Sequence, residues 1–354
     1  MSAIDKLKRT LNNETGAVIS SPVNRRYFTG FPSSNGFLLV TSSSTVFLTD
    51  SRYLEAAKKS ITVCPVGELI DAKRQIPEFF NEHKLNRILF ESDRLYISDF
   101  KRMKAFFDMQ EPISDGSLDK TINEMRAVKN SFELDCIRKA QKIAESAFSY
   151  ILNFIKDGVT ETQTALELDF FMLKNGAEAL SFDTIVVSGK NSSLPHGVPS
   201  EKKIQKGDFI TMDFGAVYGG YHSDMTRTVV LGEPSKEQIT VYETVLKAQK
   251  ASLSILKHGV SGVNADKAAR DIIECAGYGK HFGHGTGHSV GLEIHENPSL
   301  SPRSEHTLSA GNIVTVEPGI YLPQKFGVRI EDMAAITKDG YENLTSSTKE
   351  LICL

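Results

Sequence analysis

A chain of 354 residues has room for two ordinary domains with ample core, and its 40% hydrophobic and 24% charged content excludes a disordered chain. Its 41 basic and 44 acidic residues are well mixed and leave a formal net charge of -3, so no basic patch invites nucleic acid or an anionic membrane. The four cysteines, Cys64, Cys136, Cys275 and Cys353, lie scattered without a CxxC pair, which excludes a disulfide framework and a cysteine-rich zinc site.

The first residues, MSAIDKLKRTLNNETG, carry charges throughout and no apolar h-region, and no later segment approaches the roughly 18 apolar residues of a membrane span. A soluble cytoplasmic protein is expected. Up to about residue 120, strand-like runs (GFLLVT, TVFLT, RILFE) alternate with helical patterns (YLEAAKKS, RQIPEFFNEHK), which predicts a small α/β domain with a covered sheet. Next comes a long helix: Ile137, Ala140, Ala144, Ala147, Phe148, Ile151, Leu152 and Ile155 recur at helical spacing, Asn130 or Ser131 is the N-cap, and Gly158 is the stop. The domain boundary is set there, giving domains 1–124 and 125–354.

The second domain contains an internal repeat. LNFIKDGVTE answers LSILKHGVSG, so that Gly158 and Gly259 stand 101 residues apart (259 minus 158), and the second helices end at Gly176 and Gly277, again 101 apart. TETQ at Thr160 to Gln163 fits a capping box. IQKGDFITMDFG answers LSAGNIVTVEPG, which aligns Asp213 with Glu317 at an offset of 104, and HGVPS at His196 answers HENPS at His295. Two copies of helix, helix, strands related by a pseudo-twofold axis are expected, with their active residues converging.

GHGTGHSVGLEIHE, Gly283 to Glu296, is the densest chemical stretch. Its glycines make a helical HxxxH improbable, so loop and strand are predicted, with VGLEIHE alternating as a strand and glycines giving room to a ligand. Asp213 and Asp224 lie in strand-rich surroundings, eleven residues apart across a Gly-Gly turn at 219 and 220, which predicts a hairpin. Glu317 follows NIVTV and Glu331 ends FGVRI, on strands joined by a turn with Pro323. Four acids on core-facing strands repel one another unless a cation neutralises them. With His288 they form an oxygen-rich set with one nitrogen, which suits Mn, Co or Zn in a binuclear site, where two ions about 3.5 to 4 Å apart lower the pKa of a bound water toward about 7. His83, His258 and His306 read as ordinary surface or turn residues, and His222 and His281 are left unassigned. No P-loop appears.

HGTGHSVGLEIHE resembles the signature of the pita-bread metallopeptidases in their proline-specific branch, Xaa-Pro dipeptidase (prolidase) and aminopeptidase P. YFTGF at Tyr27 to Phe31 and LTDSRY at Leu48 to Tyr53 resemble the N-terminal domain of those members. The resemblance implies a creatinase/prolidase-like α/β domain followed by a pseudo-twofold pita-bread domain, in an overall α/β (α+β) fold. It implies five metal ligands, Asp213, Asp224, His288, Glu317 and Glu331, holding two divalent ions, foremost Mn, with Asp224 and Glu331 bridging. His196, His295 and Arg329 are implied as substrate-binding groups, and His284, Glu317 and His295 as catalytic. The implied reaction is attack of a bridging hydroxide on an Xaa-Pro bond, with Glu317 accepting the water proton and His284 handling the proton of the leaving nitrogen. A homodimer acting on small peptides with proline second is implied. Aminopeptidase P is the first alternative. Methionine aminopeptidase and a non-catalytic binding protein fit less well, because a front domain is present and all five ligand positions are filled.

Overall fold

Alternating apolar residues in the first strands bury both faces of one sheet. In Thr15–Ile19, Ala17 and Ile19 join one apolar cluster with Leu38, Val40 and Phe47, while Val18 points to a second cluster with Leu39, Ile88 and Phe90. The computed structural model describes residues 1–354 and divides them into two compact units, Met1–Arg126 and Ala127–Leu354. The division falls in the last turn of the helix Ser117–Ala127.

The first unit is a mixed six-stranded sheet in the order 66–68, 45–49, 37–40, 15–19, 87–90, 111–113. Its two central antiparallel pairs are flanked by parallel ones, and helices cover both faces. Helical caps fall where the sequence offers an oxygen: Asp50 accepts from the Arg52 amide and Asp71 from that of Arg74.

In the second unit, Asn130 caps the helix Ser131–Ile151 and Thr160 caps Glu161–Lys174, each through a capping box closed by Glu133 and Gln163. Lys236–Ile255 and Gly262–Cys275 are the corresponding helices of the second half. The repeat extends to single hydrogen bonds. Gly158 and Gly259 share φ +88°, where a side chain would be strained, and their amides donate to Ile204 and Leu308 at 2.9 and 2.8 Å. Thr160 bridges Lys203 as Ser261 bridges Thr307.

The strands obey the same symmetry. Met225–Val230, Phe209–Phe214 and Ile185–Ser188 form one antiparallel sheet in that order, and Asp332–Ile336, Ile313–Val316 and Gly287–Ser289 form the equivalent part of the other. Ala147, Ile151, Leu168 and Met172 pack on Ile210, Met212 and Phe214 in the first half, and Leu253 and Ala265 pack on Val314, Val316 and Ala334 in the second. Apolar burial of this kind stabilises by about 25 cal/mol per Å².

Arg227 ties the halves together. Its side chain is buried, pairs with buried Asp332 at 2.8 Å, and donates to the carbonyls of Thr226, Glu331, Ser347 and Thr348. Lys349 also reaches Asp332. Breaking a buried pair from one side leaves an uncompensated charge. Arg227→Met is therefore expected to lower the stability of this unit by about 3 kcal/mol, the low end for a broken buried pair because Lys349 remains. A urea titration checks this: the midpoint should fall with an unchanged m-value, and an unmoved midpoint would contradict the assignment.

Candidate metal centre and active site

The pseudo-twofold fold delivers acids to one place because each half carries a carboxylate at the end of its central strand. Asp213 is the next-to-last residue of Phe209–Phe214, opposite Thr226, and Glu317 follows Ile313–Val316, whose last residue pairs with Asp332. Asp224 returns beside Asp213 through the predicted hairpin, in which Gly219 and Gly220 both have positive φ (+60° and +82°) and Tyr218 pairs with Tyr221. Glu331 enters between Phe326–Arg329 and Asp332–Ile336.

All of the sequence-predicted site residues meet in a single cavity of about 500 Å³. Asp213, Asp224, His284, His288, His295, Glu317, Arg329, Glu331 and His196 line it, together with Phe182, Asp183, Ile185, Pro195 and Ile294. Single ligand atoms of Asp224, His288 and Glu331 lie within 4.8 Å of one another, and His288 Nε2 stands 3.5 Å from both Asp224 Oδ2 and Glu317 Oε1. His288 Nδ1 is 3.1 Å from the Ser289 carbonyl, which places the proton on Nδ1 and leaves the Nε2 lone pair facing the acids.

The electrostatics call for positive charge. Burial, followed by the neighbouring carboxylates, raises Asp224 and Glu331 well above the usual range; burial pushes Glu317 up to about 8 despite the opposing Arg329 guanidinium. Burial lowers His288 to about 4, with His295 adding to the effect. Only Arg329 stands as counter-charge in the immediate set, 2.7 Å from Asp213. Asp213 Oδ1 and Glu331 Oε1 are buried and accept no hydrogen bond, so these oxygens are available to a cation. Four carboxylates and one imidazole fit a pair of hard or borderline divalent ions.

Several neighbours carry no sequence signal. Thr226 donates to Glu331 at 2.8 Å and accepts from Arg329 at 3.0 Å. Tyr321 Oη, 2.9 Å from His284 Nε2 and 2.9 Å from Arg329 Nη1, completes a line from Asp213 through Arg329 to His284. His284 Nδ1 lies 2.8 Å from the Gly285 carbonyl, and burial holds the ring down at about 4. Asp266 grips Arg270 and the amide and hydroxyl of Thr286, and Arg270 donates to the His284 carbonyl, fixing the segment on which His284 stands. Of the two unassigned histidines, His222 bonds Ser181 Oγ at 2.8 Å and its amide donates to Gly291; neither it nor His281 lines the cavity.

The expected strand over VGLEIHE is not formed. Gly287–Ser289 and Glu296–Leu300 are antiparallel strands, and residues 290–295 bend between them. The bend closes around Glu296, whose carboxylate accepts the Glu293 amide at 3.2 Å, pairs with buried Lys129 at 3.1 Å, and lies 2.5 Å from where a Cβ on Gly291 would sit. The glycines mainly admit neighbouring protein. A Cβ at Gly287 would lie 2.0 Å from the Thr315 carbonyl oxygen, and one at Gly285 would lie 3.0 Å from that of Leu300. The bend turns Ile294 and His295 into the cavity, and the His288 and His295 rings lie 4.4 Å apart.

Residues 135–338 match the model of metallopeptidase family M24, and residues 4–128 match the creatinase/prolidase N-terminal domain. An uncharacterized peptidase of Bacillus subtilis is 43% identical over 343 residues, 96% of each chain. Two solved structures cover 99% of this chain: an Xaa-Pro dipeptidase from Bacillus anthracis (TM-score 0.94, 41% identity, 99% of that chain) and an X-Pro aminopeptidase from Thermotoga maritima (TM-score 0.93, 38% identity, 100% of that chain). With a pseudo-twofold, acid-lined cavity in the second unit and a creatinase-type N-terminal domain, the chain belongs to metallopeptidase family M24 and is a metal-dependent peptidase of its proline-specific, pita-bread branch.

Proposed function

We propose that this chain is an Xaa-Pro dipeptidase in which Asp213, Asp224, His288, Glu317 and Glu331 would hold two divalent ions. The observation that carries this reading is the pair of buried, hydrogen-bond-free oxygens on Asp213 and Glu331 within the acid cluster. Bound there, such ions polarise a carbonyl and lower the pKa of water.

The chain's own residues supply the rest. Glu317, which burial keeps ready to hold a proton, is the acceptor for the proton of the attacking water. His196 and His295 stand at the cavity wall to hold substrate, and Arg329 orients Asp213. His284 handles the proton needed by the leaving nitrogen, in line with Tyr321 and Arg329. An Xaa-Pro nitrogen has no N–H, so the enzyme has no donor to satisfy on that side of the bond. Phe182, Ile185, Pro195 and Ile294 offer the apolar wall that a pyrrolidine ring requires.

Manganese is the proposed metal, with cobalt or zinc as substitutes, and a cytoplasmic location is proposed. No helix is long and apolar enough to cross a membrane. A homodimer is also proposed; light scattering should give about twice the 39.1 kDa chain mass, and the single-chain mass would remove it. The likeness to the Thermotoga maritima X-Pro aminopeptidase favours a second reading, removal of the first residue from longer peptides.

Metal-stripped protein should be inactive and should regain cleavage of Ala-Pro when Mn, Co or Zn is restored. Cleavage of Ala-Pro but not Ala-Pro-Ala establishes the dipeptidase, preference for Ala-Pro-Ala moves the chain to the second reading, and activity on neither with metal bound refutes both. His284 provides a pH test. Its lowered folded-state pKa means that between pH about 6.5 and about 4 the unfolded chain binds a proton the folded chain refuses, so this group destabilises the fold as pH falls through that window. Ring NMR of the metal-free protein should place the His284 midpoint near 4, and a midpoint at the ordinary histidine value would break the burial argument.

A further inference from the structure

The two helix N-termini related by the repeat differ at their first residue, and that difference falls beneath a loop that enters the cavity. Glu161 is the first residue of Glu161–Lys174, and 101 positions later (262 minus 161) Gly262 opens Gly262–Cys275. Both backbones do the same thing: the Glu161 amide donates to the Lys202 carbonyl at 3.1 Å, and the Gly262 amide donates to that of His306 at 2.9 Å. Their surroundings diverge. A Cβ at Gly262 would lie 2.2 Å from the Ser299 carbonyl oxygen and 2.3 Å from Ser304 Oγ, so the second loop rests directly on its helix.

Glu161 instead extends a fully buried carboxylate into the loop 188–202. One oxygen accepts the Ser188 amide at 2.6 Å and its hydroxyl at 2.9 Å; the other accepts the Ser200 hydroxyl at 2.6 Å and its amide at 3.2 Å. Asn191 Nδ2 donates to both oxygens at 3.1 Å. These donors sit at the two ends and the first turn of the segment whose middle, Pro195 and His196, forms cavity wall. The middle has a tie of its own, the Pro195 carbonyl accepting from Arg329 at 3.1 Å, while the His196 side chain is exposed.

We infer that Glu161 is a positioning residue for substrate binding, acting through His196 by clamping both ends of its loop with one carboxylate. This rests on the proposed role of His196 in holding substrate. Glu161→Gln keeps the shape but turns one acceptor into a donor that faces the Ser188 or Ser200 amide, so at least one charge-assisted bond is lost and one buried donor is left unpaired.

The test is a double-mutant cycle with a second, activity-free readout. E161Q should lower kcat/KM on Ala-Pro about tenfold, mainly through KM, the order expected for one such lost bond. In an H196A background the same change should cost less than about twofold, because its route to substrate is already gone. Amide exchange followed by mass spectrometry should speed up about tenfold across 188–200 and stay unchanged across 209–214. Additive effects in the cycle, a silent H196A, or faster exchange spread evenly over the unit would each overturn the inference. If E161Q does not fold, S200A, which deletes one hydroxyl donor, replaces it in the cycle. If the wild type cleaves no Xaa-Pro substrate, the functional reading fails on its own, and exchange still decides whether Glu161 clamps the loop.

Discussion

Four carboxylates held together out of water are the constraint on which this molecule turns. Each would raise the others' proton affinity and push the sheets apart unless opposite charge enters. The chain itself brings one guanidinium, Arg329, to that set, and a hydroxyl, Thr226, which serves both Arg329 and Glu331. What surrounds the cluster is accordingly rigid: buried antiparallel strands in matched register, tied across by Arg227 and Asp332. Repulsion of this kind is tolerated only where the scaffold leaves no other arrangement, and metal binding then adds to the stability of the folded state.

The internal repeat explains how such a site is assembled at small cost in design. One unit of helix, helix and strands, used twice, presents a carboxylate at the end of its central strand, and two units bring Asp213 and Glu317 to a common centre. The halves are then free to differ away from the axis. Tyr321 and the Asp266–Arg270 pair serve the second half, whereas the Glu161 clamp serves the first, where its counterpart is a glycine.

Much of this is legible in the amino-acid order, and the limits are physical. Helices announce themselves through period and caps, as at Asn130 with Glu133 and Thr160 with Gln163, because the capping interaction is local. The acids stand out because a carboxylate in an apolar strand has few bland explanations. The bend over 290–295 escapes the pattern because it depends on Lys129 meeting Glu296 across 167 residues. Gly287 and Gly291 read as room for a ligand, yet a strand carbonyl and a carboxylate take that room. Tyr321 looks like any strand aromatic, and Glu161 reads as helix-start acidity inside a capping box. Both owe their significance to residues far away in the chain.

The offsets of the repeat carry a last implication. From the first helices through Gly176 and Gly277 the two halves run 101 apart, but the bridges Thr160–Lys203 and Ser261–Thr307 show that by the strands the spacing is 104 (307 minus 203). His196 and His295 differ by 99 (295 minus 196). Between the second helices and the central strands, the change in length thus lies in the two stretches that carry these histidines. An insertion in a strand would flip every following side chain, acids included, to the wrong face. A duplicated chain can therefore change length in the two stretches that carry His196 and His295 without turning the acids away from the cavity.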